Sequence, residues 1–176
     1  MNKKIAVIFA LTASAACAAD PPADSFSRIY TNTCLKHLHN LDELRSKLKK
    51  LPTLPADKAV FFLQNKPGNA WPVPDKNGTF VLAIPDNQNF CAVFARRVNA
   101  AAAEQQFRQI AEAAPAPLVS RNSQDERKQT PKNGPTHTIS YAWSAPKTAT
   151  QILLTLTTAT GENADIQGLA SAALVK

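Results

Sequence analysis

The chain has 176 residues, 20 Lys+Arg against 13 Asp+Glu, a formal net charge of +7, and 44% hydrophobic residues. That is one domain's length with enough apolar material for one core, which excludes disordered, collagen-like and coiled-coil proteins. The only standout apolar run lies at the N-terminus and is too short for an internal span, so the composition also speaks against a polytopic membrane protein.

Residues 1–19 read as a secretory signal peptide. Lys3 and Lys4 form a charged start, residues 5–11 an apolar stretch, and residues 13–19 a run of small side chains. Ala16-Cys17-Ala18 fits the A-x-A cleavage rule and leaves Ala19 or Asp20 as the new terminus. Ser14-Ala-Ala-Cys17 also resembles a degenerate lipobox, without the usual Leu, which makes Cys17 a candidate lipid acceptor. Loss of Lys3 and Lys4 lowers the net charge by two, to +5. The expected location is the periplasm, with an outer-membrane lipoprotein as the alternative. Two of the three cysteines, Cys34 and Cys91, remain in the mature chain. An even number in an oxidising compartment predicts a disulfide between them.

Residues 20–176 read as a single α+β domain. Phe26, Ile29, Tyr30, Cys34, Leu35 and Leu38 recur at helical spacing behind Asp24 or Ser25 as N-cap, and they place Cys34 on the buried face. Asn40 caps a second helix with Glu43 in capping-box spacing. Leu41, Leu44, Leu48 and Leu51 form its apolar face, and Pro52 stops it. Residues 55–63 read as a short helix opened by Pro55, although Val60-Phe-Phe62 also suits a strand. Residues 71–73 form an edge strand bounded by prolines, and Asp75-Lys-Asn-Gly78 is a hairpin turn into a strand at 79–84. The strand at 90–97 is apolar on both faces and so belongs inside the sheet, with the first helix packed on its Cys91 face.

Asn99 caps a third helix over 100–113, with Phe107, Ile110 and Ala114 as its apolar seam. A short strand at 118–121 precedes a polar loop at 122–135. Strands at 136–144 and 150–159 follow, joined by a hairpin connection, and 166–175 supplies a last strand weakened by Gly168. The order predicts one antiparallel sheet of five to six strands with two to four helices packed on one face and one disulfide.

Chemistry is sparse. There is no G-x-S-x-G elbow, no phosphate-binding glycine loop and no paired carboxylates in contrasting surroundings. His37 and His39 diverge on a helix, so no metal site and no cofactor is expected. His137, with Ser140 or Tyr141 nearby, is the one constellation for an enzyme of unrecognised type. Trp71 reads either as a core anchor or as a partner contact. Arg96 and Arg97 end the inner strand, and Arg127 and Lys128 sit in the polar loop. With Trp71 they are the candidate contacts. In an exported protein nucleic acid is excluded as a partner, and the membrane enters only through a lipid anchor or a weak basic patch.

Tyr30-x-x-x-Cys34, Phe62-Leu63 with Pro67-Gly-x-Ala-Trp71, Phe80-Val-Leu-Ala-Ile84, Cys91-x-Val-Phe-Ala-Arg96 and Ala103-x-x-x-Phe107 stand in that order from about residue 26 to 160. In this the chain resembles a family of small exported proteins and lipoproteins of Gram-negative bacteria without an assigned activity. The resemblance implies an envelope location and a one-domain, disulfide-bonded module, and it brings no catalytic residues. The expected function is a non-catalytic envelope protein that binds another envelope or secreted protein, as an inhibitor, immunity or accessory factor. The alternatives are a lipid- or glycan-binding module and the enzyme built on His137.

Overall fold

The computed structural model describes residues 20–176, so the predicted leader and Cys17 lie outside the described residues. Seven strands form one antiparallel sheet: β1 (Gly68–Val73), β2 (Thr79–Pro85), β3 (Phe90–Arg96), β4 (Val119–Thr130), β5 (Gly134–Ser144), β6 (Gln151–Ala159) and β7 (Gly168–Val175). Their spatial order is β1-β2-β3-β7-β6-β5-β4. The chain thus makes one meander, crosses to the far edge, and works back inward until its last strand pairs with β3. The helices are α1 (Pro21–Tyr30), α2 (Leu41–Leu48), α3 (Ala56–Phe62) and α4 (Ala100–Glu112). No helix among the described residues is long and apolar enough to cross a membrane.

α1 begins earlier than its apolar stripe suggests. Asp20, not Asp24 or Ser25, is the N-cap and accepts from Ala23 N at 2.9 Å, with prolines in the first turn where no N–H is needed. The helix runs on as a π-turn, Thr31–Leu35, which carries Cys34. Cys34 and Cys91 of β3 are joined by a disulfide, and neither has any exposed surface. Asn40 caps α2 as predicted, accepting from Glu43 N at 3.2 Å, but the helix stops at Leu48 and leaves Leu51 half exposed.

α1, α2 and α4 cover one face. The rings of Phe26 and Phe80 stack at 6.4 Å, and Tyr30, Phe107 and Tyr141 continue the row towards β5. β7 is built of small residues, so α1 lies close to it. Tyr30 donates to Ser171 O at 2.9 Å, and burial pushes its phenol well above the usual range. A β-carbon on Gly168 would stand 2.8 Å from Val98 Cγ1 and 3.3 Å from the Phe26 ring, so this glycine makes room for α1 rather than merely weakening the strand. The turn after β1 is tied to α1. Ser25 donates to Asp75, Arg28 pairs with the same carboxylate at 2.6 Å, and the Asn77 backbone N–H holds Asp75 below the usual carboxylate range.

Two expectations are corrected. α3 packs on the opposite face, where Ala59, Phe62 and Leu63 meet Ala70, Val81 and Phe94, because β1–β3 are apolar on both sides. The polar loop at 122–135 is instead most of the β4–β5 hairpin, which lengthens the short strand expected at 118–121 to twelve residues, and the sheet has seven strands rather than five to six. β4 is a fully outer strand with few buried side chains, so it shows no apolar alternation. Its charges and the bulge between Asn122 and Gln124 blunt it against pairing with another chain.

Candidate functional site

β3 ends in a sharp turn. Arg97 sits at φ +60, a conformation an L side chain adopts at a cost, and its N–H donates to Gln167 Oε1 at 2.8 Å. The Gln167 backbone N–H in turn donates to Ala95 O at 3.1 Å and its side-chain amide to Ala164 O at 2.7 Å, which fixes the turn from beneath. Asn99 then caps α4, accepting from Ala102 N at 3.0 Å. Arg97, the first turn of α4 and the segment after β6 enclose a cavity of about 530 Å³. A second cavity of about 250 Å³ adjoins it, lined by Arg127, Lys128, Thr136 and His137. Thr160 lines both.

Arg97, Arg127 and Lys128 are therefore brought to one end of the sheet, with Arg96 exposed beside Arg97. Among the described residues Arg96, Arg97 and Arg127 have no ion-pair partner, whereas Lys128 pairs with Glu126 at 3.0 Å. Trp71 is not part of this group. It lies on β1, at the opposite edge from β4, and is 3% exposed, so it is a core anchor beneath α2 and not a surface contact.

His137 lies under the second cavity and is 4% exposed. Its Nε2 is 2.7 Å from Asp125 Oδ1, and its Nδ1 is 2.9 Å from Glu104 Oε2. The second contact is within ion-pair distance but is not a hydrogen bond, which leaves Nδ1 without a hydrogen-bond partner among the described residues. Arg108 donates to Asp125 Oδ2 at 2.7 Å, and Thr158 donates to Glu104 Oε1 at 2.6 Å. The Arg108 guanidinium first, and His137 second, hold the Asp125 carboxyl down at about 2. Asp125, with help from the Tyr141 hydroxyl, pushes the Arg108 guanidinium up in return.

This network ties α4, β4 and β5 together, and its parts are spent on one another. Ser140 faces the other side of β5 from His137, since successive side chains alternate, and it bonds Thr155 and Gln124 there. Tyr141 shares the His137 face but stands four residues along the strand, roughly 13 Å away, and donates to Glu112. The His137–Ser140 or His137–Tyr141 pairing expected for an enzyme is not assembled. A nucleophile needs a base within hydrogen-bond reach and an exposed attacking atom. Among the described residues no group of three or more His, Cys, Asp or Glu could hold a metal ion.

Sequence reasoning missed Glu104 and Asp125 as partners of His137, and Arg108 as the partner of Asp125. Glu104 and Arg108 stand four apart on one face of α4, which was legible. Asp125 was hidden because residues 122–130 bury no side chain and so carry no strand alternation. No protein-family model, curated protein or solved structure matches this chain.

Proposed function

We propose that this chain is a non-catalytic, exported envelope protein that binds an acidic protein partner through the arginine rim at the end of β3 and the β4–β5 hairpin. The single observation that carries the reading is Arg97. It is held at positive φ by Gln167 at the 530 Å³ cavity, where Asn or Gly would cost less backbone strain. Among the described residues Arg96 and Arg127 on the same rim lack ion-pair partners, and a guanidinium offers the forked donor geometry that a carboxylate accepts. Exposed Glu162 and Asp165 stand on this rim as well. Acids among the arginines weaken attraction to a uniformly anionic membrane surface, whereas the discrete carboxylates of an acidic protein can pair with the arginines one by one. The disulfide supports export, since such bonds persist in oxidising compartments, and cleavage after Ala18 or lipidation at Cys17 would deliver the domain to the periplasm or to the outer membrane.

The test is photo-crosslinking in intact cells from positions 96 and 127, with Thr148 in the β5–β6 turn as the control. The expected result is one discrete adduct shared by positions 96 and 127, absent at 148 and lost in Arg97→Glu. Adducts that are absent, or equal at all three positions, overturn the proposal.

A further inference from the structure

The buried ring of His137 stands between two acids that arrive from different elements. Asp125 Oδ1, from β4, is 2.7 Å from Nε2, and Glu104 Oε2, from α4, is 2.9 Å from Nδ1. Arg108 of α4 holds Asp125 as the carboxylate. Thr158 of β6 donates to Glu104 Oε1, so the second acid is fixed in place too. Arg127, opposite His137 in the β4–β5 register, and Lys128 line the small cavity that His137 also lines. These two cations are exposed and screened by water, whereas both acids touch the ring.

A neutral imidazole has one N–H and one lone pair, so it can serve only one of the two acids. The other acid would then face the lone pair across less than 3 Å. The observed arrangement therefore needs a second proton, on the ring or on the acid beside it. We propose that this proton is a switch: with it His137 clasps α4 to the β4–β5 hairpin, and without it one of the two acids is released. The parts so joined are those that form the arginine rim. The first turn of α4 lines the larger cavity, and the hairpin carries Arg127 and Lys128. Because the closed form binds one proton more than the open form, its contribution is present at the acid end of the titration and is lost as the pH rises through it. An acidic partner adds negative charge beside the clasp, so closing and partner binding favour one another. Only this coupling rests on the partner proposed above.

Nitrogen-edited NMR follows the His137 ring, with exposed His39 as the reference. Amide hydrogen exchange in α4 and in the β4–β5 hairpin is measured alongside, from about pH 5 to pH 9, a span that brackets ordinary histidine titration. Amides of β2 and β3 correct for the general rise of exchange with pH. Relative to them, exchange in α4 and the hairpin should speed up by about tenfold or more as the proton leaves. Glu104→Gln brings an amide N–H that can donate to a neutral Nδ1, so this variant should stay closed and lose the pH dependence. His137→Gln has no ring to titrate and should lose it as well, which keeps the test sound if one variant does not fold. The crosslinked adduct from position 127 should grow as the pH falls. Relative exchange that stays level across the range, or a Glu104→Gln variant with the native pH dependence, overturns the proposal. An adduct that forms but ignores pH overturns the control of the rim. An adduct absent at every pH overturns the partner reading alone, since the exchange result stands without it.

Discussion

Replacing both Cys34 and Cys91 with alanine removes the covalent tie between the helical segment and the sheet. The two half-cystines are 57 residues apart in sequence, and they join the π-turn after α1 to an inner strand. Cutting that link frees the unfolded chain to explore a larger ensemble, which the chain-entropy relation sets at about 4 kcal/mol for a loop of this length. A domain of this size is stable by about 5–15 kcal/mol in all, so the loss is a large share. At roughly 2–4 °C per kcal/mol, the melting temperature should fall by about 8–16 °C. The assay is thermal unfolding followed by far-ultraviolet circular dichroism, on the oxidised protein, the reduced protein and the double variant. Reduced and variant proteins should melt close together and well below the oxidised form. A fall of less than about 3 °C, or two reactive thiols at positions 34 and 91 in the unreduced protein, would refute the reasoning.

Acid should weaken the His137 network through Asp125. That carboxyl ordinarily titrates near 3.8 and is held at about 2 in the fold, so its contribution is fully present above the ordinary value and is lost as the pH falls through about 2. The melting temperature of the native protein should therefore approach that of Asp125→Asn between pH 4 and pH 2, and a gap that stays constant across that window contradicts the assignment. Gly168→Ala should destabilise by about 1–3 kcal/mol, read from the urea midpoint, because the added methyl meets Val98 and Phe26 where α1 crosses β7. An unchanged midpoint would mean that α1 has slack above this strand.

The amino-acid sequence alone determined the features that depend on near neighbours. The amphipathic spacing of α1, α2 and α4, the Asn40 and Asn99 caps and the Asp75–Gly78 turn each rest on residues within a few positions of one another. The inner position of β3 was legible because Phe90, Ala92 and Phe94 are apolar on one side and Cys91, Val93 and Ala95 on the other. The cysteine pairing followed from there being two left to pair. Tertiary structure decided what depends on register between distant segments. Nothing local tells β7 to pair with β3, and an outer strand such as β4 has so little to bury that its sequence reads as a loop. Trp71 carries the same local signal whether it is exposed or covered, and only the position of α2 over β1 covers it. His137 gained its meaning the same way, since Glu104 reaches it from a helix and Asp125, itself held by Arg108, from another strand. Backbone preference acts over a few residues, whereas burial and charge pairing act through space, and the candidate sites of this protein are made of the second kind.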